Sequence, residues 1–357
     1  MTSKAFGLAQ LGNAFSDGAL SNRNKIINGA MQVAQRGTSV ASVTGSGYFT
    51  TDRVLQALDS LGTWTVENSS DAPSGFARSH KVICTTANAS PASGAYYILQ
   101  WRIEGQNLQD LAYGTAAATP LTLSFWVKSN KTGAASLEFL QLDNSGKLWS
   151  NSYTINAADT WEYKTVVVPA DASGVINNDN GTGLELNFWV NSGTTFSSGS
   201  HQTTWGSYAD ANRNVSNLAV GAAVSDYLAI TGVQLEAGDT ATPFEHRSYG
   251  AELALCQRYY WKNKPSSLYA YIAVGVSRVT YMGLLIQYPQ VMRAAPTFNY
   301  SNLAAEVGTL TTALATYAGD TSALYQVNTT SGPASGDLNI LQSASAGVGF
   351  LEASAEL

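Results

Sequence analysis

The sequence predicts an all-β protein: an antiparallel jelly-roll β-sandwich, then a short helix, then a small C-terminal β-domain. Two observations predict the sandwich. Short segments of alternating apolar and polar residues recur between residues 26 and 246, and clusters of Gly, Pro, Asn and Asp punctuate them, with almost no helical periodicity. A third predicts the helix: Tyr249, Leu253, Cys256 and Tyr260 recur at helical spacing and are expected to pack on one face.

The elements follow in order. Residues 1–25 are rich in Gly, Asn, Ser and Ala, with isolated Phe6, Leu8, Leu11, Phe15 and Leu20. They read either as a terminus without fixed structure or as an attachment arm that orders on docking to another protein. Strand patterns come at 48–58, 63–68, 76–85, 96–104, 121–128, 136–142, 148–155, 161–168, 184–190 and 227–235. Turn clusters separate them at 72–75, 143–146 and 177–183, and the loop 192–217 is long enough to carry function at one end of the sandwich. Gly238-Asp239 stops the last strand, Pro243 forces an extended path, and Phe244 offers one large apolar anchor. The expected domains are therefore an arm at 1–25, a jelly roll at 26–246, a helical junction at 247–264 and a β-domain at 265–357. In the last, 269–276 and 279–288 pair across Ser277-Arg278, Pro289 and Pro296 bracket an extended segment, and 348–352 forms a final strand. That domain is poor in large apolar groups, so burial against a neighbouring subunit is expected to complete it.

Composition excludes several classes. Only 12% of the 357 residues are charged, against an ordinary share of about 25%. The net charge is −6 and no Lys/Arg cluster exists beyond Arg23 and Lys25, which argues against a nucleic-acid groove. Two cysteines, Cys84 and Cys256, make no disulfide framework and read as buried thiols of a chain folded in a reducing cytoplasm. The start MTSKAFGLAQLGN has no basic region followed by an apolar run, so no secretory signal is expected, and no stretch approaches a membrane span.

Two strands bear most on function. In LTLSFWVKS, Leu121, Leu123, Phe125 and Val127 point one way; Thr122, Ser124, Trp126 and Lys128 point the other. In GLELNFWVNS, Leu184, Leu186, Phe188 and Val190 oppose Glu185, Asn187, Trp189 and Asn191. Placed in one sheet, such strands would make a polar surface with two indoles, which suits sugars: a pyranose offers an apolar face to an indole and hydroxyls to Asn, Glu and Lys. The alternative is that a loop or a neighbouring subunit covers both indoles. The loop residues His201, Trp205 and Tyr208 are a second candidate for sugar contact, or else anchors that pack the loop down. The glycan-binding candidates are thus Trp126, Lys128, Glu185, Asn187, Trp189, Trp205 and Tyr208.

No catalytic residue is assigned. His80, His201 and His246 lie in no helical metal motif, and there is no nucleophile elbow, P-loop or zinc-type cysteine pair. His80 reads as a sheet-face residue, and His246 as a hydrogen-bonding residue of the junction. Glu104 and Asp110 are an acid pair only if folding brings them together. No cofactor is expected; the oxygen-rich run Asn177 to Gly181 is the one stretch that suggests a structural calcium, and it lacks EF-hand spacing.

The stretch ITGVQLEAGDTATPFEHRSYGAELALCQRYY at 230–260 is similar to a junction found in many bacteriophage tail-fibre and virion-surface proteins. INGAMQVAQRGTS at 27–39 resembles the opening strand of that family, and SFWVKS at 124–129, GLELNFWV at 183–190 and YPQVMRAAP at 288–296 follow in the family's order. Ala30 stands where the opening motif usually carries an acidic residue, which removes the obvious ligand for a calcium near the first strand. The resemblance implies a virion structural protein with a jelly roll of the carbohydrate-binding-module type. It implies a tail fibre or tail-associated receptor-binding subunit, a homotrimer joined to other virion proteins through its arm, adhering to host surface polysaccharide without catalysis. The alternative within the same resemblance is a non-adhesive component, a capsid decoration, head fibre or tail spacer. The expected location is the virion surface after synthesis in the host cytoplasm, without membrane insertion.

Overall fold

The computed structural model describes residues 22–144, 146–278, 281–306, 309–313, 317–330, 335–344 and 348–357. The chain divides between Tyr249 and Gly250 into two compact units. The first contains β1 (Ser39–Val43), β2 (Leu55–Asp59), β3 (Thr63–Ser69), β4 (Ser79–Thr86), β5 (Tyr96–Glu104), β6 (Leu121–Ser129), β7 (Gly133–Gln141), β8 (Lys147–Ile155), β9 (Glu162–Val168), β10 (Thr182–Ser192) and β11 (Tyr227–Ala237). They form two antiparallel sheets, ordered β1-β3-β4-β11-β6-β9 and β2-β5-β10-β7-β8, the sandwich expected of the sequence.

Strand parity decides what lies between the sheets. Leu121, Leu123, Phe125 and Val127 of β6 and Leu184, Leu186, Phe188 and Val190 of β10 are all buried in one core. At its centre the Phe188 ring stands edge-on to Phe125 at 4.8 Å and to Trp101 at 5.6 Å, with Tyr153 at 6.2 Å. Edge-to-face contacts of this kind add about 0.5–1.5 kcal/mol each beyond the area they bury.

His80 is on the inner side of β4, in phase with Val82 and Cys84, and is fully buried. The Tyr97 hydroxyl donates to Gln56 Oε1 (2.8 Å), Gln56 Nε2 meets His80 Nε2 (2.9 Å), and His80 Nδ1 meets Thr51 Oγ1 (3.0 Å). With Gln56 donating, the imidazole is neutral and protonated on Nδ1. Burial holds its pKa at about 3, against 6.5 ordinarily. Between these values the unfolded chain takes up a proton that the folded chain refuses. Stability is therefore expected to fall as pH drops below 6.5, by up to about 1.4 kcal/mol per pH unit. Denaturant midpoints at pH 7.5 and 5.5 check this by comparison with a His80→Gln variant, since His201, lowered by burial, and Glu185, raised by burial, act in both proteins alike. The variant should have a shallower slope than the wild type, and an unchanged slope would sink the assignment.

Three expectations are corrected. The motif at 27–39 is not a strand up to β1: Asn28 (φ 60°) and Met31 (φ 57°) are left-handed and turn the chain. The Asn28 side chain then closes the turn, donating to Val33 O and Asp52 O and accepting from Val33 N. The strand expected over 48–58 begins only at Leu55, with Gly47 bridged back to Gln56. The helix α1 (Tyr249–Gln257) buries Glu252 and Cys256 while Tyr249 is exposed, so its packed side is offset from the expected one. Neither Cys84 nor Cys256 forms a disulfide, and both are buried. Of the arm expected at 1–25, residues 1–21 lie outside the described residues.

The second unit holds a three-stranded sheet, β12 (Tyr260–Asn263), β21 (Phe350–Ser354) and β15 (Thr297–Ser301), with β21 in the middle. Residues 260–263, expected in a helical junction, are thus strand. The other sheet is β16 (Leu303–Ala305), β20 (Leu338–Ser343), β13 (Tyr271–Ser277), β14 (Tyr281–Gln287), β19 (Ser322–Thr330) and β17 (Thr309–Ala313) in that order, with β18 (Tyr317–Ala318) also paired to β19. β13 and β14 pair antiparallel as their alternation suggested. The core is modest: Met282, Leu284, Ile286, Tyr288, Met292, Leu341 and Leu351 are its larger members, with four alanines beside them. No helix among the described residues is long and apolar enough to cross a membrane.

Candidate functional site

β6 lies in the six-stranded sheet and β10 in the five-stranded one. Their polar sides therefore look out from opposite faces of the sandwich, and Trp126 and Trp189 do not share a surface. Alternation along a strand assigns a side chain to a face but not the strand to a sheet, which is why the two-indole surface does not form.

The outer face of the five-stranded sheet is sealed. Asn187 faces Gln100 on β5 and Glu138 on β7, while Glu185 faces Arg102 on β5. The loop 193–217 crosses β7, β8 and β10: Ser136 Oγ accepts from Ser216 N, Ser150 Oγ accepts from Gln202 N, and Gly206 bridges Leu148. Arg213 fastens it. Its Nε reaches Glu138 Oε2 at 3.0 Å and its Nη2 reaches Oε1 at 2.6 Å. The same guanidinium sits 5.0 Å from the Trp189 ring centroid, 5.6 Å from Phe196 and 5.2 Å from Tyr208. Burial opposes the cation, but the Glu138 carboxylate more than offsets this and raises the Arg213 pKa. Asn187 Nδ2 donates to Glu138 at 2.9 Å, and Arg102 pairs with Glu185 at 2.8 Å. Burial pushes the Glu185 carboxyl up, Arg102 draws it down and Glu138 adds to the rise, for a net increase.

Trp189, Asn187 and Glu185 are buried. Trp205 donates to Pro169 O at 2.7 Å and packs on the core beside Tyr113. The Tyr208 hydroxyl receives Arg213 Nη1 at 2.7 Å and gives to Asp210 at 2.6 Å. His201 bonds Ser216 at 2.9 Å. His201 and Tyr208 thus bond within the loop and Trp205 anchors it to Pro169; of these three Tyr208 alone is exposed.

The outer face of the six-stranded sheet is covered over β11 and part of β6, where Thr122, Ser124, Thr231, Gln234 and Glu236 are buried, but it opens at Trp126 and along β9, and it carries a feature missed from sequence. Trp126, half-buried, faces Tyr163 on the edge strand β9, ring to ring at 5.4 Å. On its other side Gly232 sits in a bulge of β11 with φ 60°. A Cβ there would stand 3.0 Å from Trp126 Cδ1 and 2.7 Å from Phe76 Cζ, so only glycine lets the two rings close over the backbone. Phe76 stacks edge-on with Phe244 at 5.0 Å, and His246 lies 5.3 Å from Phe76. Tyr163, Trp126, Phe76, Phe244 and His246 thus form one ridge of rings. The anchor expected of Phe244 is real, but its socket, Phe76, is 168 positions away in sequence. Beside the ridge, Asp71 receives Lys128 Nζ at 2.9 Å and Trp161 Nε1 at 3.0 Å. Burial raises the Asp71 pKa, while Lys128 and Trp161 lower it further than burial raises it. His246 contributes rings here, not the hydrogen bond expected of it.

The TPFEHR motif has a second task. Glu245 accepts from the backbone nitrogens of Asn22 and Asn24, and Arg247 donates to Asn24 O at 2.5 Å and Ile26 O at 3.2 Å. Asn24 in turn accepts from Leu235 N and donates to Val233 O, both at 3.0 Å. The segments 27–39 and 230–260 meet just beyond, where Val233 N donates to Gly29 O at 2.9 Å. The run at 177–181 is a turn in which Asp179 caps Gly181 N and Asn177 bonds Asp143. Glu104 is held by Gln106 and Asp110 by Lys25, each carboxylate with its own partner. Among the described residues no three of His, Cys, Asp and Glu converge to hold a metal ion.

No family model matches the chain, and no curated protein matches it. Solved structures do. The enzymatically active domain of tailspike protein 4 of bacteriophage CBA120 is 17% identical with a TM-score of 0.31, over 60% of this chain and 21% of that one. The chain thus spans about a fifth of the tailspike domain. The module TmCBM61, solved with β-1,4-galactotriose, is 12% identical with a TM-score of 0.29, over 60% of this chain and 99% of the module. The C-terminal family 22 carbohydrate-binding module of Clostridium thermocellum Xyn10B is 10% identical with a TM-score of 0.33, over 63% and 100%. Each is a likeness at low identity, and none assigns a family to this chain.

Proposed function

We propose that this chain is a glycan-binding structural protein of a bacteriophage particle, a tail fibre or tail-associated receptor-binding subunit that works as a homotrimer. It adheres to host surface polysaccharide through the Trp126–Tyr163 end of the ring ridge and performs no chemistry. One observation carries the reading: an indole and a phenol stand together at the exposed β9 edge of the sheet with Lys128, Asp71 and Trp161 beside them. Rings take the C–H face of a sugar, and the charged pair offers donors and acceptors to its hydroxyls. The motifs at 27–39 and 230–260, which meet where Val233 N donates to Gly29 O, support the virion assignment. Contacts of this kind are weak singly, and three copies on one particle multiply them. The earlier candidates Glu185, Asn187 and Trp189 act in this reading as the floor under a fastened loop.

A second reading is favoured by that same sealed face: a spacer or decoration protein that binds no sugar. A glycan array separates the two. The wild-type chain should bind host polysaccharide, and Trp126→Ala and Tyr163→Ala should each weaken binding by roughly tenfold, as expected for about 1.4 kcal/mol of lost ring contact. Tyr163 is surface-exposed, so its removal leaves folding intact. A blank array for the wild type ends the adhesin reading. Binding that survives both substitutions moves it off this ridge.

A further inference from the structure

We infer that the outward face of the seven-membered sheet in residues 250–357 is the surface through which copies of this chain associate. The inference rests on the self-association proposed above and names where it happens. Strand registers place the face. Leu338 on β20 lies opposite Val276 on β13, and Val276 lies opposite Gly283 on β14. Two residues on, in phase with Gly283, Leu285 lies opposite Leu324 on β19, and Leu324 lies opposite Tyr317 on β18. Val274 shares this side with Val276. The alternate residues Met282, Leu284, Ile286, Ala323 and Leu341 fill the unit's own core, so this row is the other side of the sheet.

The row is left in water: Leu338 is 74% exposed, Tyr317 67% and Leu285 62%, with Val274, Val276 and Leu324 exposed as well. Water-facing sheets are ordinarily guarded by Lys, Glu and other charges. Here no strand of the sheet, β13, β14, β16, β17, β18, β19 or β20, contains one Lys, Arg, Asp or Glu. A face without charge offers nothing for a charged partner to read, and its match is another apolar face without charge. A second copy of the chain supplies one at equal concentration. The area fits too. Six large side chains this open make a patch near the upper end of the ~300–600 Å² found on monomers, and covering one on each of two copies clears the ~1,000 Å² of a specific interface. The small core of this unit gives the same face a reason to be buried.

Sedimentation of the full chain tests this. The wild type should run as a multiple of one chain mass, and Leu285→Glu should run as a single chain with an unchanged far-ultraviolet spectrum. A wild type that is a single chain at micromolar concentration overturns both the self-association and the face. A wild-type multimer with a Leu285→Glu variant that remains multimeric overturns the face alone. Should the glutamate disturb folding, a dye attached through Leu285→Cys gives a second measurement, since Cys84 and Cys256 are buried. Its emission should be blue-shifted in the multimer and lose that shift on dilution. Emission typical of water in a confirmed multimer overturns the face.

Discussion

Replacing Arg213 by alanine is expected to remove about 3–5 kcal/mol of folding stability, because it strands a buried carboxylate. Glu138 is fully buried and takes three guanidinium contacts from Arg213; after the substitution only Asn187 Nδ2 still donates to it among the contacts described above. The guanidinium also fills the space between Trp189, Phe196 and Tyr208, so packing is lost with the charge. Arg213→Lys should recover only part, since an ammonium cannot stack flat or bind both carboxylate oxygens as a fork. A double variant, Arg213→Met with Glu138→Leu, should recover more than Arg213→Lys, because it removes the stranded charge as well. Urea midpoints measure the loss, and proteolysis should cut the loop 193–217 earlier in the single variant. A loss under about 1 kcal/mol would show that the loop does not depend on this pair.

The second large effect is in the core between the sheets. Phe188→Ala is expected to cost about 3–5 kcal/mol, the ordinary range for a buried phenylalanine. Its ring touches Phe125 from one sheet and Trp101 and Tyr153 from the other, so the cavity would open at the contact that sets the spacing of the layers. The near-ultraviolet spectrum, which reports Trp101 and Tyr153, should weaken with it, while Phe188→Leu should cost less. A wild-type midpoint in Phe188→Ala would mean that the two sheets do not depend on this ring.

The sandwich was legible because its strands obey one parity. LTLSFWVKS and GLELNFWV name their buried residues directly, and 96–104 is bounded as expected. His80 was legible too: it shares a phase with Val82 and Cys84, so its burial could have been read from HKVIC. The opening segment was misread because the chirality that turns it belongs to Asn28 and Met31, and methionine at positive φ leaves no pattern. The site was legible only in part. Trp126 and Lys128 were placed on an outward face and are there, but their neighbours Asp71 and Phe76 flank the turn cluster 72–75, and Phe76, expected at the head of a strand, precedes β4, which begins only at Ser79. Nothing local ties Arg213 to Glu138, 75 residues earlier, so the sealing of the other face could not be read from either strand. Contacts made between distant segments, rather than within one, account for what sequence did not show.

The fastening made by Glu245 and Arg247 on residues 22–26 has a mechanical meaning. Residues 22–26 and 245–247 meet at one spot of the first unit, where the two stretches are bonded directly to each other. A pull applied between residue 22 and Arg247 is therefore borne together by these bonds and by β11, whose Val233 and Leu235 also hold Asn24 and Lys25.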